Sequence, residues 1–384
     1  MRQLRIPALF VVLGILGAAC ASPAPSGMLQ QLGEGEGALN LVIWTNYAER
    51  GLQDPFYDWV TPFEEETGCM VETTDMADSG NGVDLMQTGQ YDGISASGDA
   101  TLRLIAAGTV APVNVDLIPN YEQIFDGLKL QPHNSVDGVP YGVPHGRGAN
   151  LLMYNTDVVS PAPTTWEPIW EGGADYSGQV SIYNYAIFIA DAALHLMQTS
   201  PDLGIENPYQ LNQEQFDAAV ALLEAQSEHA IYWGTAGEQI TSFENEEGVV
   251  GTTWQYQALN LPDTPVEAIL PDEGSTGWSD TWMIHSEAAH PNCMYMWMNH
   301  MGSAEANALA TVWFGEAPTS DAACAAAEEF APGHCDTYHA TDEEYFDKVW
   351  YWDTPRADCG DEDDATTCKD FDAWLEAWAT ITGG

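Results

Sequence analysis

Short apolar runs alternate with longer amphipathic ones along this chain, a pattern that favours α/β architectures. Leu39 to Trp44 (LNLVIW), Val249 to Trp254 (VVGTTW) and Val266 to Leu270 (VEAIL) read as buried strands. Asn212 opens a helix with Gln215 at the capping-box position, and Phe216, Val220 and Leu223 recur on one face. Phe371, Trp374, Leu375 and Trp378 share a face near the C-terminus, so that end reads as a docked helix. The glycine-dense run GVPHGRG (142–148) suits a hinge between lobes and a plain surface turn equally. With 384 residues, 45% of them hydrophobic, there is material for two or three domain-sized cores.

The chain begins with an export signal. Arg2 and Arg5 precede an apolar stretch, Ile6 to Leu16, and small residues lead to Cys20. The arrangement resembles a bacterial lipobox, in which the cysteine is lipidated and becomes the mature N-terminus. Gly17 stands where a branched apolar residue is usual, so ordinary cleavage around Ala19-Cys20-Ala21 is the competing reading. Either route places the protein in the periplasm or at the cell surface. Residues 1–19 are then a signal peptide, and 20–38, with its Pro, Ser, Gly and Gln, reads as a flexible tether. No later apolar run approaches the roughly 20 residues of a spanning helix, so membrane contact is expected only through the lipid anchor.

Six further cysteines follow, an even number in an exported chain, which points to disulfides. Pairing neighbours gives Cys324–Cys335 and Cys359–Cys368 and leaves Cys69–Cys293, one of several open connectivities. No C-x2-C pair occurs, and no metal is expected.

Charge excludes partners more than it selects them. Nine Lys+Arg against 58 Asp+Glu give a net charge of −49, unsuited to phosphate backbones or anionic membranes. Only three of the residues are lysine, which fits a carboxylate-clad surface adapted to salt and a soluble monomer. No Walker A loop, H-E-x-x-H helix or G-x-S-x-G elbow is present. No enzyme and no cofactor is therefore expected.

What stands out is Trp and Tyr beside acids in short segments. Trp44-Thr-Asn-Tyr47 ends the first strand, where ligands of open α/β sheets usually sit. Ser95-Ala-Ser97-Gly-Asp99 follows Tyr91-Asp92, and later come Trp254, Trp278 with Asp280, Glu316, and Trp352 with Asp353. Aromatic faces and carboxylates suit a ligand with methylene stretches and ammonium ends.

The segments LVIWTNY (41–47), YDGISASGDATLRLIAAGTV (91–110), PYGVPHGRGANLLMYNTDVV (140–159), TTWEPIW (164–170), GWSDTWMI (277–284) and FGEAPTS (314–320) occur in an informative order. In that order the chain resembles the polyamine (spermidine/putrescine) substrate-binding proteins of ABC transporters, from about Leu39 to the C-terminus. By that resemblance Trp44 and Tyr47 match the aromatic pair of the first strand, Trp254 and Trp278 match later aromatics, and Asp280 matches the carboxylate that pairs with a ligand amine. Three positions depart from the pattern. A family aromatic falls on Asp99, a family tyrosine on Glu316 and a family glutamine on Asp353. Conversely, family acids fall near Tyr185 and Phe188.

The resemblance implies an α/β, two-lobed fold of the type II periplasmic-binding-protein class, with a ligand cleft between lobes. Lobe 1 is expected from 39–145 plus 279–323, and lobe 2 from 146–278 plus 324–384. It implies a polyamine-like cation as ligand, sandwiched by the aromatics with Asp280, Asp99 and Glu316 at its charged ends. Delivery would be to the membrane permease of an ABC importer. Rival readings are a binding protein of the same fold for another small amine, a zwitterion or a sugar, and a secreted glycosidase.

Overall fold

A computed structural model describes residues 27–359 and 367–383. The expected signal peptide, Cys20 and the first part of the tether lie outside these residues. Two five-stranded sheets organise the chain. In the first, the order is Met70–Asp75, Ala38–Ile43, Gly93–Ala96, Thr281–Ile284 and Val143–Pro144. The first three strands run parallel, and Thr281–Ile284 is antiparallel to both of its neighbours. The second sheet repeats the plan with Ala230–Trp233, Val180–Tyr183, Val250–Thr253, Leu151–Asn155 and Val266–Ile269. Again three strands run parallel and Leu151–Asn155 opposes both neighbours. The anticipated strands are all present, shifted by a residue or so at their ends.

Each sheet has its own core. Leu39, Leu41 and Ile43 pack with Trp282, Met294 and Trp297, while Leu152, Val180, Ile182 and Val250 pack with Phe188, Trp374 and Trp378. Two separate cores make two lobes, each large enough to be held by burial of its own apolar surface. GVPHGRG is buried and not a surface turn: it carries the chain from Val143–Pro144 in the first sheet to Gly148–Ala149. Gly148–Ala149 pairs with Ser275–Trp278, which pairs with Val349–Tyr351 in a small third sheet. The chain returns to the first sheet through Ser279 and Asp280. A third crossing follows Phe314, where Ala317 bridges to Arg147.

Local signals in the sequence produce the expected helices. Gln213–Ser227 begins with a full capping box between Asn212 and Gln215. Phe371–Thr382 buries Phe371, Trp374, Trp378 and Ile381. Leu375 is 40% exposed, because it lies at the edge of that stripe. All three disulfides pair as anticipated: Cys69–Cys293, Cys324–Cys335 and Cys359–Cys368.

The described part of the tether is not free. Glu36 accepts hydrogen bonds from the backbone of Asn292 (3.0 Å) and Cys293 (3.0 Å), capping the helix Pro291–Met301. Leu29 and Leu32 pack on the first core. Sequence composition suggested mobility, but two leucines and one capping acid suffice to dock the segment.

The lobes meet tightly where Gly98 faces Trp352. A Cβ on Gly98 would stand 1.7 Å from the carbonyl oxygen of Trp352, and Thr354 Oγ1 donates to the carbonyls of Gly98 (3.1 Å) and Asp99 (3.0 Å). Backbone cannot yield as a flexible side chain does, so Gly98→Ala is expected to cost about 1–3 kcal/mol or more. Thermal melting checks this; an unchanged midpoint would contradict the close approach.

Candidate functional site

Strand carboxyl ends from both sheets point at the gap between lobes, the place where open α/β sheets take ligands. A cavity of about 420 Å³ opens there, within the size range of small-molecule sites. The first lobe contributes Trp44 after Ala38–Ile43, Asp78 and Ser79 after Met70–Asp75, and Ser97 after Gly93–Ala96. The second contributes Tyr183 and Tyr185, Thr235, and Trp254 from the ends of its three parallel strands. Trp278, Asp280 and Trp352 line it where the chain crosses between lobes.

The rings form a connected wall. Trp254 lies 5.6 Å from Trp278 and 5.3 Å from Tyr183, centroid to centroid. Tyr183 stacks parallel to Trp352 at 6.2 Å. Polar edges of two tryptophans are tied off inside the protein: Trp254 Nε1 donates to Asn150 Oδ1 (2.9 Å) and Trp44 Nε1 to Ser97 Oγ (3.2 Å). These bonds fix ring orientation, which keeps the wall preformed.

Asp280 is the buried carboxylate of this wall, 3% exposed. Ser97 Oγ donates to its Oδ1 (2.6 Å) and Tyr47 OH to its Oδ2 (2.7 Å). No Lys or Arg reaches it among the described salt bridges. Burial raises Asp280 to about 6, with the two hydroxyl bonds opposing and the charge of Asp99 adding. A carboxylate buried there without a basic partner is costly to ionise.

The other expected site residues divide by depth. Trp44, Trp254, Trp278 and Tyr185 line the cavity with Asp280. Tyr47 does not. It is fully buried behind Asp280, its ring 4.2 Å from His145 and 4.4 Å from Phe314. Asp99 is likewise buried one layer back, accepting from Ser79 Oγ (2.9 Å) and Tyr185 OH (3.0 Å).

Glu316 sits beside the crossing segment, also fully buried, with Oε1 at 3.3 Å from His145 Nε2. Trp282 Nε1 donates to His145 Nδ1 (3.0 Å), so the proton of the neutral ring is on Nε2 and faces Glu316. Burial lowers His145 to about 3 and, with the charge of Asp280, pushes Glu316 well up. Glu316 is thus a buried acid that does not itself line the cavity but accepts a hydrogen bond from Trp278 of its wall. Asp353 lines a different cavity, of about 430 Å³, with Tyr209 and His133.

Residues not assigned a role from sequence include Tyr183, Asp78 and Ser79, while Trp352, singled out there beside Asp353, does line the cavity. Tyr183 was accessible by parity, since residues two apart in extended chain share a face and Tyr185 was already in view. Asp78 and Ser79 follow an edge strand, Met70–Asp75, whose buried position is only Val71; so weak an apolar signal hides the strand end. Among the described residues no group of three or more His, Cys, Asp or Glu is placed to hold a metal.

Comparison with known proteins agrees with this geometry. The family model for bacterial extracellular solute-binding proteins matches residues 58–333. Spermidine/putrescine-binding periplasmic protein 1 of Haemophilus influenzae is 23% identical over 268 residues, 67% of this chain and 69% of that protein. The putrescine/agmatine-binding protein of Pseudomonas aeruginosa is 23% identical over 266 residues, 64% of this chain and 71% of that protein. Among solved structures, the spermidine/putrescine ABC transporter substrate-binding protein of Streptococcus pneumoniae superimposes with a TM-score of 0.68 at 16% identity, covering 90% of this chain and 97% of that one.

Proposed function

The chain belongs to the bacterial extracellular solute-binding protein family, and within it we propose that this member captures a polyamine-like cation and hands it to the permease of an ABC importer. The observation that carries the reading is Asp280: a buried carboxylate without a basic partner at the floor of an aromatic cavity. Trp44, Trp254 and Trp278 would cover the methylene chain of the ligand, and Asp280 would take an ammonium. Spermidine/putrescine binding in the relatives named above supports the same class. Contacts from both lobes to one ligand favour the closed arrangement, which is the signal a permease reads. We also propose that Cys20 carries the lipid anchor and that the protein acts as a monomer.

The proposal fixes a pH dependence. Amine binding needs Asp280 ionised, and burial holds its free-state value at about 6. Affinity is therefore full above that pH and falls about tenfold per unit below it. Stability of the ligand-free protein responds with the opposite sign. Asp280 and Asp353, each at about 6, and Asp191, at about 7, bind more protons folded than unfolded, so their penalty on folding disappears as pH falls. Titration of putrescine by tryptophan fluorescence between roughly pH 7.5 and 5 tests this; an affinity flat across that range would contradict the role of Asp280.

A further inference from the structure

Behind one side of the cavity lies an acid that touches no ligand space, yet governs two groups that do. Asp99 is fully buried in the first turn of the helix Gly98–Ala106. Its Oδ1 accepts from Ser79 Oγ at 2.9 Å and its Oδ2 from Tyr185 OH at 3.0 Å. Ser79 and Tyr185 both line the cavity, and they come from opposite lobes. Each hydroxyl has one proton, directed at Asp99, and Ser79 also lies within hydrogen-bond reach of Tyr185. What the two oxygens then present to a ligand is lone pairs.

Groups around Asp99 act in both directions: the Asp280 carboxylate disfavours its ionised form, while Arg103 and the two hydroxyls favour it. Arg103 lies one turn along the same helix, with its guanidinium over the Phe371 ring at 4.8 Å. Burial is the largest influence and leaves Asp99 raised, with the bonds from Ser79 and Tyr185 and then the charge of Arg103 opposing it. The hydroxyl of Thr354 is directed at the backbone carbonyl of Asp99 and not at the carboxylate. Tyr185 is held in place by Phe371, whose ring lies 6.3 Å away.

We propose that Asp99 is a positioning residue that turns Ser79 and Tyr185 into a paired acceptor, so that the cleft reads a second N–H group at a point distinct from Asp280. This inference rests on the amine reading above and narrows it. The preferred ligand carries donors at both ends; an amine whose far end is a methyl group leaves the acceptors unpaired, and one whose far end is a carboxylate meets lone pairs with lone pairs. Because the acceptors sit on different lobes, a ligand donor there also bridges the lobes.

Three ligands with the same four-carbon chain separate the possibilities: 1,4-diaminobutane, butylamine and 4-aminobutanoate. Calorimetry on the intact chain is expected to rank them in that order, with the diamine at least about tenfold tighter than the monoamine. In Asp99→Asn the new amide N–H forces one hydroxyl proton towards the cavity, and the diamine-to-monoamine ratio is expected to shrink by about tenfold while butylamine binding changes little. Tyr185→Phe removes one acceptor directly, should shift the ratio the same way, and stands in for Asp99→Asn if that variant folds poorly. A merely structural role would weaken both amines together and leave the ratio alone, which would overturn the proposal. A wild-type protein that binds both amines equally, and loses both in Asp280→Asn, would also overturn it while leaving the amine reading intact. Failure of every amine would instead defeat the amine reading itself and this inference with it.

Discussion

Replacing Asp280 by asparagine is expected to remove most amine affinity without unfolding the protein. The variant keeps the shape of the side chain and an acceptor for one of the Ser97 and Tyr47 hydroxyls, but loses the charge. Removing one partner of a desolvated charge pair costs about 2–5 kcal/mol, roughly 30-fold to several thousandfold in affinity. Stability should move little or rise, because ionised Asp280 is itself unfavourable in the ligand-free fold: burial raises it to about 6. Calorimetry and melting on the same samples check both halves. A variant that binds putrescine like the parent would show that the carboxylate is not the cation receptor. One that melts far below the parent would show instead that Asp280 is held for structure.

The second large effect concerns Cys69–Cys293. Both sulfurs are buried, and the bond closes a sequence separation of 224 residues. It joins the start of strand Met70–Asp75 to the helix Pro291–Met301, with the N-terminal segment laid across it; a Cβ on Gly35 would come within 2.6 Å of Cys69 Sγ. Long loops lose most chain entropy on crosslinking, so Cys69→Ser with Cys293→Ser should cost about 2–5 kcal/mol. Cys359–Cys368 closes a separation of only 9 residues, and its removal should cost less. Thermal melting of the two double variants gives the comparison. Equal losses would contradict the loop-length argument.

The fold was legible because its signals are local. Asn212 with Gln215 marks a helix start in four residues, and LNLVIW marks a strand without reference to anything else. The lining of the site was only partly legible, for three physical reasons. Residue type does not report depth: Tyr47, Asp99 and Glu316 carry the right chemistry but lie one layer behind the wall, where they orient or neighbour the residues that line it. Adjacent residues in extended chain face opposite sides, so Trp352 reaches the cleft while Asp353 turns into the other cavity. The same parity puts Trp278 and Asp280 on one side together. Parity fails across a change of element, and Asp99 is two residues from Ser97 yet hidden because a helix begins at Gly98.

Composition contributed least to the site. One buried carboxylate lines the ring wall, against 58 acids in the chain, so the net charge does not identify the ligand. The ring wall and Asp280 together carry the ligand claim. Its most direct test is isothermal calorimetry of the purified protein with putrescine, spermidine and glucose near neutral pH. The account predicts saturable binding of the amines and no heat from the sugar. Tight sugar binding with no response to either amine would contradict it.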